Sequence, residues 1–284
     1  MPLPEPSALT PVAQDYLKVI WSAREWSTAP MTTKRLADRL GVAASTVSET
    51  VRCLTDQGLV AHAPYGSVEL TERGAALAVA MVRRHRLLET FLVSELGYAW
   101  DEVHDEAEVL EHAVSDTLVD RIDARLGFPR RDPHGDPIPT PDGQVVTPPA
   151  RALWHLDPGE WQVARISDAD PALLRYLASV GLVLDSHVVV VERRPGVGTV
   201  AVRVTPPPVT PVPDDATPGA GIPPGSDAAR PAAATIDLAE VAAVSIWLVA
   251  AGTGPVPAVA GPAVAGPAAA EPGGARPIPL PAPE

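Results

Sequence analysis

What is scarce in these 284 residues narrows the possibilities first. A single cysteine, Cys53, stands in the whole chain. No internal disulfide can form, which suits a reducing compartment. No run of eighteen apolar residues occurs, and the start lacks the basic, apolar and small-residue order of a signal peptide. Neither a membrane span nor secretion is therefore expected, and the cytoplasm is the expected location. Large apolar residues are sparse beyond residue 205, where 18 of the 34 prolines fall. Such Pro- and Ala-rich stretches bury too little surface to offset chain entropy, so residues 205–233 and 250–284 read as disordered and the folded mass lies earlier.

An excess of positive charge is missing too. The net charge of −13 argues against a nucleic-acid partner when taken whole, but it is unevenly spread. Residues 1–90 carry ten Lys/Arg against nine Asp/Glu, and residues 91–145 carry four against thirteen. The first stretch can still present a basic face, while the second gathers acid.

Apolar periodicity marks helices over residues 13–21, 32–40 and 45–57. The last two are joined by a tight turn at Leu40-Gly41-Val42, the spacing of a helix-turn-helix, and Gly58 follows the third as a helix-ending glycine. Cys53 falls in this third helix and reads as core packing. Residues 59–62 and 67–70 form a hairpin around Pro64-Tyr65-Gly66, a small wing. A helix then begins at Thr71-Glu72 and runs through Leu96, and residues 101–126 read as one further long helix. A proline-bearing connector over 130–149 leads to strands at 160–166, 187–193, 199–204 and 241–249 with a short helix at 171–180, which suggests a small SH3-like barrel.

In a helix-turn-helix the second helix enters the major groove, and its N-terminal residues meet bases and phosphates. Here these are Ala43, Ala44, Ser45, Thr46, Ser48 and Glu49. The hydroxyls can bond bases or phosphates, and an alanine methyl can touch a thymine methyl. Lys34, Arg35, Arg39 and Arg52 are available for phosphate. The alternative is a three-helix core with no nucleic-acid partner; the wing that follows favours DNA.

On the acidic segment, His104, Glu108, Glu111 and His112 share one helical face. His85 and Glu89 share another, beside Arg83, Arg84 and Arg86, which can pair with acid or phosphate. An acidic face is often merely solvated, but histidines among carboxylates suit a divalent cation that relieves their repulsion. If the two helices pack antiparallel, six potential ligands converge.

At this point several motifs agree. The winged helix, then MVRRHRLLETF (81–91), VHDEAEVLEHAVSD (103–116) and DPHGDPIP (132–139), resemble the diphtheria toxin repressor family of metal-dependent regulators. Leu174-Arg175-Tyr176-Leu177 resembles that family's third domain, and the likeness covers residues 10–204 and 235–249. It implies a homodimeric repressor, mainly α with a small β part. The implied units are a winged helix-turn-helix over residues 8–74, a helical dimerisation and metal-binding domain over 75–149, and a FeoA-like SH3 barrel over 150–249 interrupted by a loop at 205–234. A tail follows at 250–284. It implies a primary metal site of Asp15, Glu108, Glu111 and His112, and a second of His85, Glu89 and His104 with a barrel carboxylate, Asp170. Iron-type members carry methionine and cysteine where this chain has Asp15 and Glu108; oxygen and imidazole donors suit Mn(II), with Fe(II) as the alternative metal.

There are departures as well. Lys18 stands where another manganese-type subgroup has glutamate, and Glu49 replaces the recognition helix's glutamine. Asp132 and His134 read as a connector turn, with metal ligation as the other possibility. The expected activity is metal-dependent binding of operator DNA that represses manganese uptake, with Asp15 tying the winged helix to the dimer core so that two recognition helices match major grooves about 34–36 Å apart. Two rivals remain: a metal phosphohydrolase, since His104-Asp105 is similar to that group's adjacent pair, and a winged-helix regulator of some other signal.

Overall fold

The computed structural model describes residues 3–4, 6, 9–63, 66–205 and 235–252. Helix α1 (Pro11–Glu25) starts where Thr10 accepts a hydrogen bond from the Ala13 amide and Pro11 takes the first helical position. It buries Tyr16, Leu17 and Ile20 against Leu36 of α2 (Thr33–Leu40) and Val47, Val51 and Leu54 of α3 (Ala44–Asp56). Between α2 and α3, Gly41 takes φ +65°, a left-handed turn that glycine adopts at little cost. Cys53 is exposed, contrary to expectation, because the inward stripe of α3 is Val47, Val51 and Leu54 and position 53 lies off it. The wing pairs β1 (Val60–His62) antiparallel with β2 (Val68–Leu70). Of its expected tip, residues 64 and 65 lie outside the described residues.

Helix α4 (Glu72–Leu96) is the spine. Its first turn packs on the wing, and its second half joins a separate core with Leu87, Leu88 and Leu92 against Val103, Ala107, Val119 and Ile122. The single helix expected over 101–126 is instead two, α5 (Val103–Leu110) and α6 (Asp116–Arg125). The chain unwinds between them because the Glu111 carbonyl accepts from the Arg84 guanidinium at 3.1 Å, and the Ser115 side chain caps α6 by accepting from the Leu118 amide. Arg83, Arg84 and Arg86 are buried and paired with Asp123, Asp116 and Glu25 respectively. Their role is structural, and none is free for phosphate.

The connector folds back on itself. Asp132 Oδ1 accepts from the amides of His134 and Asp136, each at 2.9 Å, and Gly135, at φ +94°, lies so near the barrel that a Cβ there would meet the Ala164 carbonyl at 2.1 Å. The barrel is one antiparallel sheet in the order β3-β8-β4-β5-β6-β7, made of β3 (Arg151–Ala152), β4 (Gly159–Ile166), β5 (His187–Arg194), β6 (Thr199–Thr205), β7 (Thr235–Ala239) and β8 (Ile246–Ala250), with α7 (Pro171–Ser179) and α8 (Glu240–Ala243). Inward residues such as Val163, Val188, Val200, Leu238 and Leu248 alternate along the strands, and Leu174 and Leu177 of α7 complete this core. Residues 241–249, expected as a strand, divide into the end of α8, a turn and most of β8. Strand β7 was not anticipated; its alternation of Ile236 and Leu238 is short and follows a long proline-rich stretch. The expected disorder lies outside the described residues except at its margins, where Thr205 ends β6 and Ala250 ends β8, both in sheet.

The three parts meet at one clamp. Trp26, just after α1, donates to Asp136 Oδ1 at 2.6 Å, and Arg165 of β4 donates to the same oxygen at 2.7 Å. The Arg165 guanidinium lies 5.0 Å from the Trp26 ring and 4.3 Å from that of Trp247, a cation–π contact to both aromatics.

Candidate metal centre and nucleic-acid interface

Asp15 and Lys18 lie one turn apart on α1 and face the turn after α5. There Glu111 is fully buried and His112 half-buried. His112 Nε2 is 3.0 Å from Asp15 Oδ1, and its Nδ1 is held at 2.8 Å from the Gln14 side-chain oxygen. One ligand atom each from Asp15, Glu111 and His112 fits within 4.8 Å. Asp15 Oδ1 is buried and makes no aligned hydrogen bond, the state of a donor atom suited to an ion. Burial raises the Asp15 pKa, and nearby Glu108 and Glu111 add to that against the opposing charges of His112 and Lys18.

Glu108 does not join this trio; it stands in a second group with His85 and His104. Lys18 links the two, its ammonium at 2.6 Å from Glu108 Oε1 and 2.5 Å from Glu111 Oε1. His85, on α4, lies 2.6 Å from Glu111 Oε2 and 3.0 Å from Glu89 Oε1. Burial disfavours its cation, but Glu89's charge and the hydrogen bonds the ring donates to Glu111 and Glu89 outweigh that and push its pKa up to about 9. The same contacts hold Glu89 well below the usual carboxylate range despite its burial.

The third group joins Glu89, His134 and Asp168. His104 Nδ1 is 3.1 Å from Asp168 Oδ2 and 3.2 Å from Glu89 Oε1. Burial opposes protonation of His104, yet Asp168 and Glu89 push its pKa up to about 11. The barrel carboxylate at this centre is thus Asp168. Asp170, expected there, is exposed and caps α7, accepting from the Ala172 and Leu173 amides. With the helix start defined by Asp170, the residue two earlier is left free to face His104. His134, read in the sequence as a connector turn with metal ligation as the other possibility, is fully buried. Its Nε2 donates to the Trp100 carbonyl at 2.6 Å, and Nδ1 is buried without a hydrogen-bond partner, 3.9 Å from Glu89 Oε2. Burial opposes its protonation, but Asp132, Glu89 and Asp168 outweigh that and raise its pKa, so a bound cation would compete with a proton for this nitrogen. The Pro-His-Gly spacing was the one signal in the sequence that pointed to this residue. The donor set of all three groups is oxygen and imidazole nitrogen, with no sulfur.

In the helix-turn-helix, Ala43, Ser45, Thr46, Ser48, Glu49 and Arg52 are exposed along one side of α3, and Lys34 is exposed on α2. Arg35 is half-buried and donates to the Pro30 carbonyl at 2.7 Å, while Ser48 bonds its own helix at the Ala44 carbonyl. The side chain at the start of α3, Ala43, caps nothing. First-turn amides are therefore available to a phosphate oxygen.

Comparison with known proteins follows the same division. Residues 8–68 match the model of the iron dependent repressor N-terminal DNA binding domain, residues 71–140 that of the iron dependent repressor metal binding and dimerisation domain, and residues 155–207 the FeoA domain. The iron-dependent repressor IdeR of Mycobacterium tuberculosis (strain ATCC 25618 / H37Rv) is 40% identical over 131 residues, 46% of this chain and 56% of its own. The chain thus spans about half the length of the curated relatives it matches. Among solved structures, a manganese-dependent transcriptional repressor in complex with manganese is 57% identical, with a TM-score of 0.72, covering 84% of this chain and 99% of its own. The manganese regulator SloR is 29% identical, with a TM-score of 0.66, covering 85% of this chain and 100% of its own.

Proposed function

The chain belongs to the diphtheria toxin repressor family of metal-dependent regulators, and from that premise we propose that it is a cytoplasmic, homodimeric repressor that binds operator DNA when loaded with Mn(II). One observation carries the reading: Asp15, on the first helix of the winged-helix unit, meets Glu111 and His112, on the α5–α6 turn of the central helices, within 4.8 Å. Asp15, Glu111, His112 and the adjoining Glu108 would hold one ion. His85, Glu89, His104, His134 and Asp168 would hold a second, shared between the central helices and the barrel. A divalent ion would place its charge among carboxylates that otherwise rely on the Lys18 ammonium and the neighbouring imidazoles.

The residues do the rest. Asp15 reaches from α1, whose Leu17 and Ile20 pack on α3, so the position of Asp15 is the position of the recognition helix. With Asp15 held to His112 and Glu111, the two recognition helices of a dimer keep one spacing; with it released, carboxylate repulsion lets them shift, and DNA affinity falls by the differential affinity of the two states. Ser45, Thr46, Ser48 and Glu49 would read bases, with Lys34 and Arg52 at phosphates. The donor chemistry supports manganese over iron, because hard oxygen and imidazole donors suit Mn(II) and no cysteine stands in these groups among the described residues. Repression of manganese uptake is the corresponding physiology.

The test is anisotropy binding to DNA upstream of the protein's own gene and of neighbouring transporter genes, titrated with Mn(II), Fe(II) and Zn(II) against a chelated control. Wild type is expected to bind in a sequence-specific, Mn(II)-dependent way. Asp15→Ala is expected to stay folded and dimeric and to lose that dependence. Undiminished Mn(II)-stimulated binding by Asp15→Ala would sink the bridging role.

A further inference from the structure

Lys18 is a charged side chain in the middle of a proposed cation site. It stands three residues after Asp15 on the same face of α1, buried, with its ammonium against Glu108 and Glu111. Glu111 has no oxygen to spare, since Oε1 meets Lys18 and Oε2 meets His85 Nδ1 at 2.6 Å. We propose that Lys18 is a tethered competitor: its ammonium is the counter-cation of Glu108 and Glu111 in the metal-free protein, and it must leave Glu111 before an ion can take that oxygen. The residue thereby raises the metal concentration at which the protein responds.

Two features of the geometry make the exchange practicable. Glu108 is 36% exposed at its side chain whereas Glu111 is fully buried, so the lysine has a path toward water on the Glu108 side when it leaves Glu111. Its four-carbon stem is flexible and its ammonium is a point charge with rotatable donors, so no fixed fork has to be rebuilt. The lysine also spares the metal-free fold from bare repulsion among Asp15, Glu108 and Glu111, and a neutral side chain at this position would remove that protection and the competition together.

This inference rests on the reading that Asp15, Glu111 and His112 hold a divalent ion, and the experiment separates the two. Full-length wild type, Lys18→Met, Lys18→Gln and Asp15→Ala are titrated with Mn(II) against a fluorescent chelator, and each is melted with and without Mn(II). Lys18→Met and Lys18→Gln are expected to bind Mn(II) roughly 5- to 150-fold more tightly than wild type, the usual range for coupled sites. They are also expected to melt lower without metal and to gain more from Mn(II). Equal or weaker Mn(II) binding by folded variants would overturn the inference and leave the metal site standing. Unchanged Mn(II) binding by Asp15→Ala would overturn the site itself and this inference with it. Should both lysine variants fail to fold, the wild-type Lys18 ammonium is followed by 15N NMR as Cd(II) is added. A resonance slowed in exchange without metal and lost at stoichiometric Cd(II) is expected, and one that stays unchanged while Cd(II) binds would refute displacement.

Discussion

The histidines of the candidate metal centre are fixed in two ways. His134 gives Nε2 to the Trp100 carbonyl and leaves Nδ1 without a hydrogen-bond partner, while His85 is held through both ring nitrogens, between two carboxylates. The His85 pair has a pH signature. Its pKa in the folded chain, about 9, lies above its ordinary 6.5, so the stabilisation it brings is fully present below about pH 6.5 and is lost as pH rises through about 9. In chelator-treated protein the His85 ring is expected to titrate near 9 by NMR and Glu111→Gln to lower that midpoint; a midpoint near 6.5 in wild type would contradict the buried pairing. The two barrel aspartates should separate cleanly. Asp168→Ala is expected to lose one bound Mn(II) per chain in equilibrium dialysis. Asp170→Ala should keep the full count and lose about 0.5–2 kcal/mol of stability, the cost of a helix cap.

Between elements, α4 approaches the wing closely at Gly74. A Cβ on Gly74 would lie 1.9 Å from the Leu59 carbonyl oxygen, a backbone atom that can move only if the wing moves. Alanine in a helix is ordinarily worth up to about 1 kcal/mol over glycine, but overpacking of this kind costs about 1–3 kcal/mol. Gly74→Ala is therefore expected to lower stability in a denaturant titration; a gain would show that the wing yields freely. The break between α5 and α6 matters in the same way. Periodicity over 101–126 reads as one helix because apolar spacing continues across it. The Arg84 bond to the Glu111 carbonyl, from a residue 27 positions earlier, and the Ser115 cap of α6 mark the break, and Lys18 and His85 hold the Glu111 carboxylate inside.

For the molecule as a whole, the central helices leave apolar side chains in water: Leu96 is 59%, Leu118 45% and Phe128 50% exposed. These lie at the end of α4 and along and just after α6, in the region matching a dimerisation domain. Leu118→Glu is expected to convert the protein to monomer in sedimentation velocity and to weaken operator binding by about a hundredfold or more, because one chain then engages one half-site without the effective concentration of its twin. A dimer that survives the change would place the interface elsewhere.

At this scale the division between sequence and tertiary structure is clear. The winged helix, α4, most of the barrel and the ligand candidates on α4 and the acidic segment were legible, because apolar period, caps and i, i+4 spacing are local properties that the chain carries along its length; Asp15 on α1 came only from the family resemblance. How those ligands sort into groups was not local. Asp168 rather than Asp170, His134 as a donor, Glu108 apart from Asp15, and Lys18 between Glu108 and Glu111 are all decided by which distant segments pack together. A carboxylate or an ammonium acquires its role from the groups that folding brings to it, and those lie as far away in the chain as His112 does from Asp15.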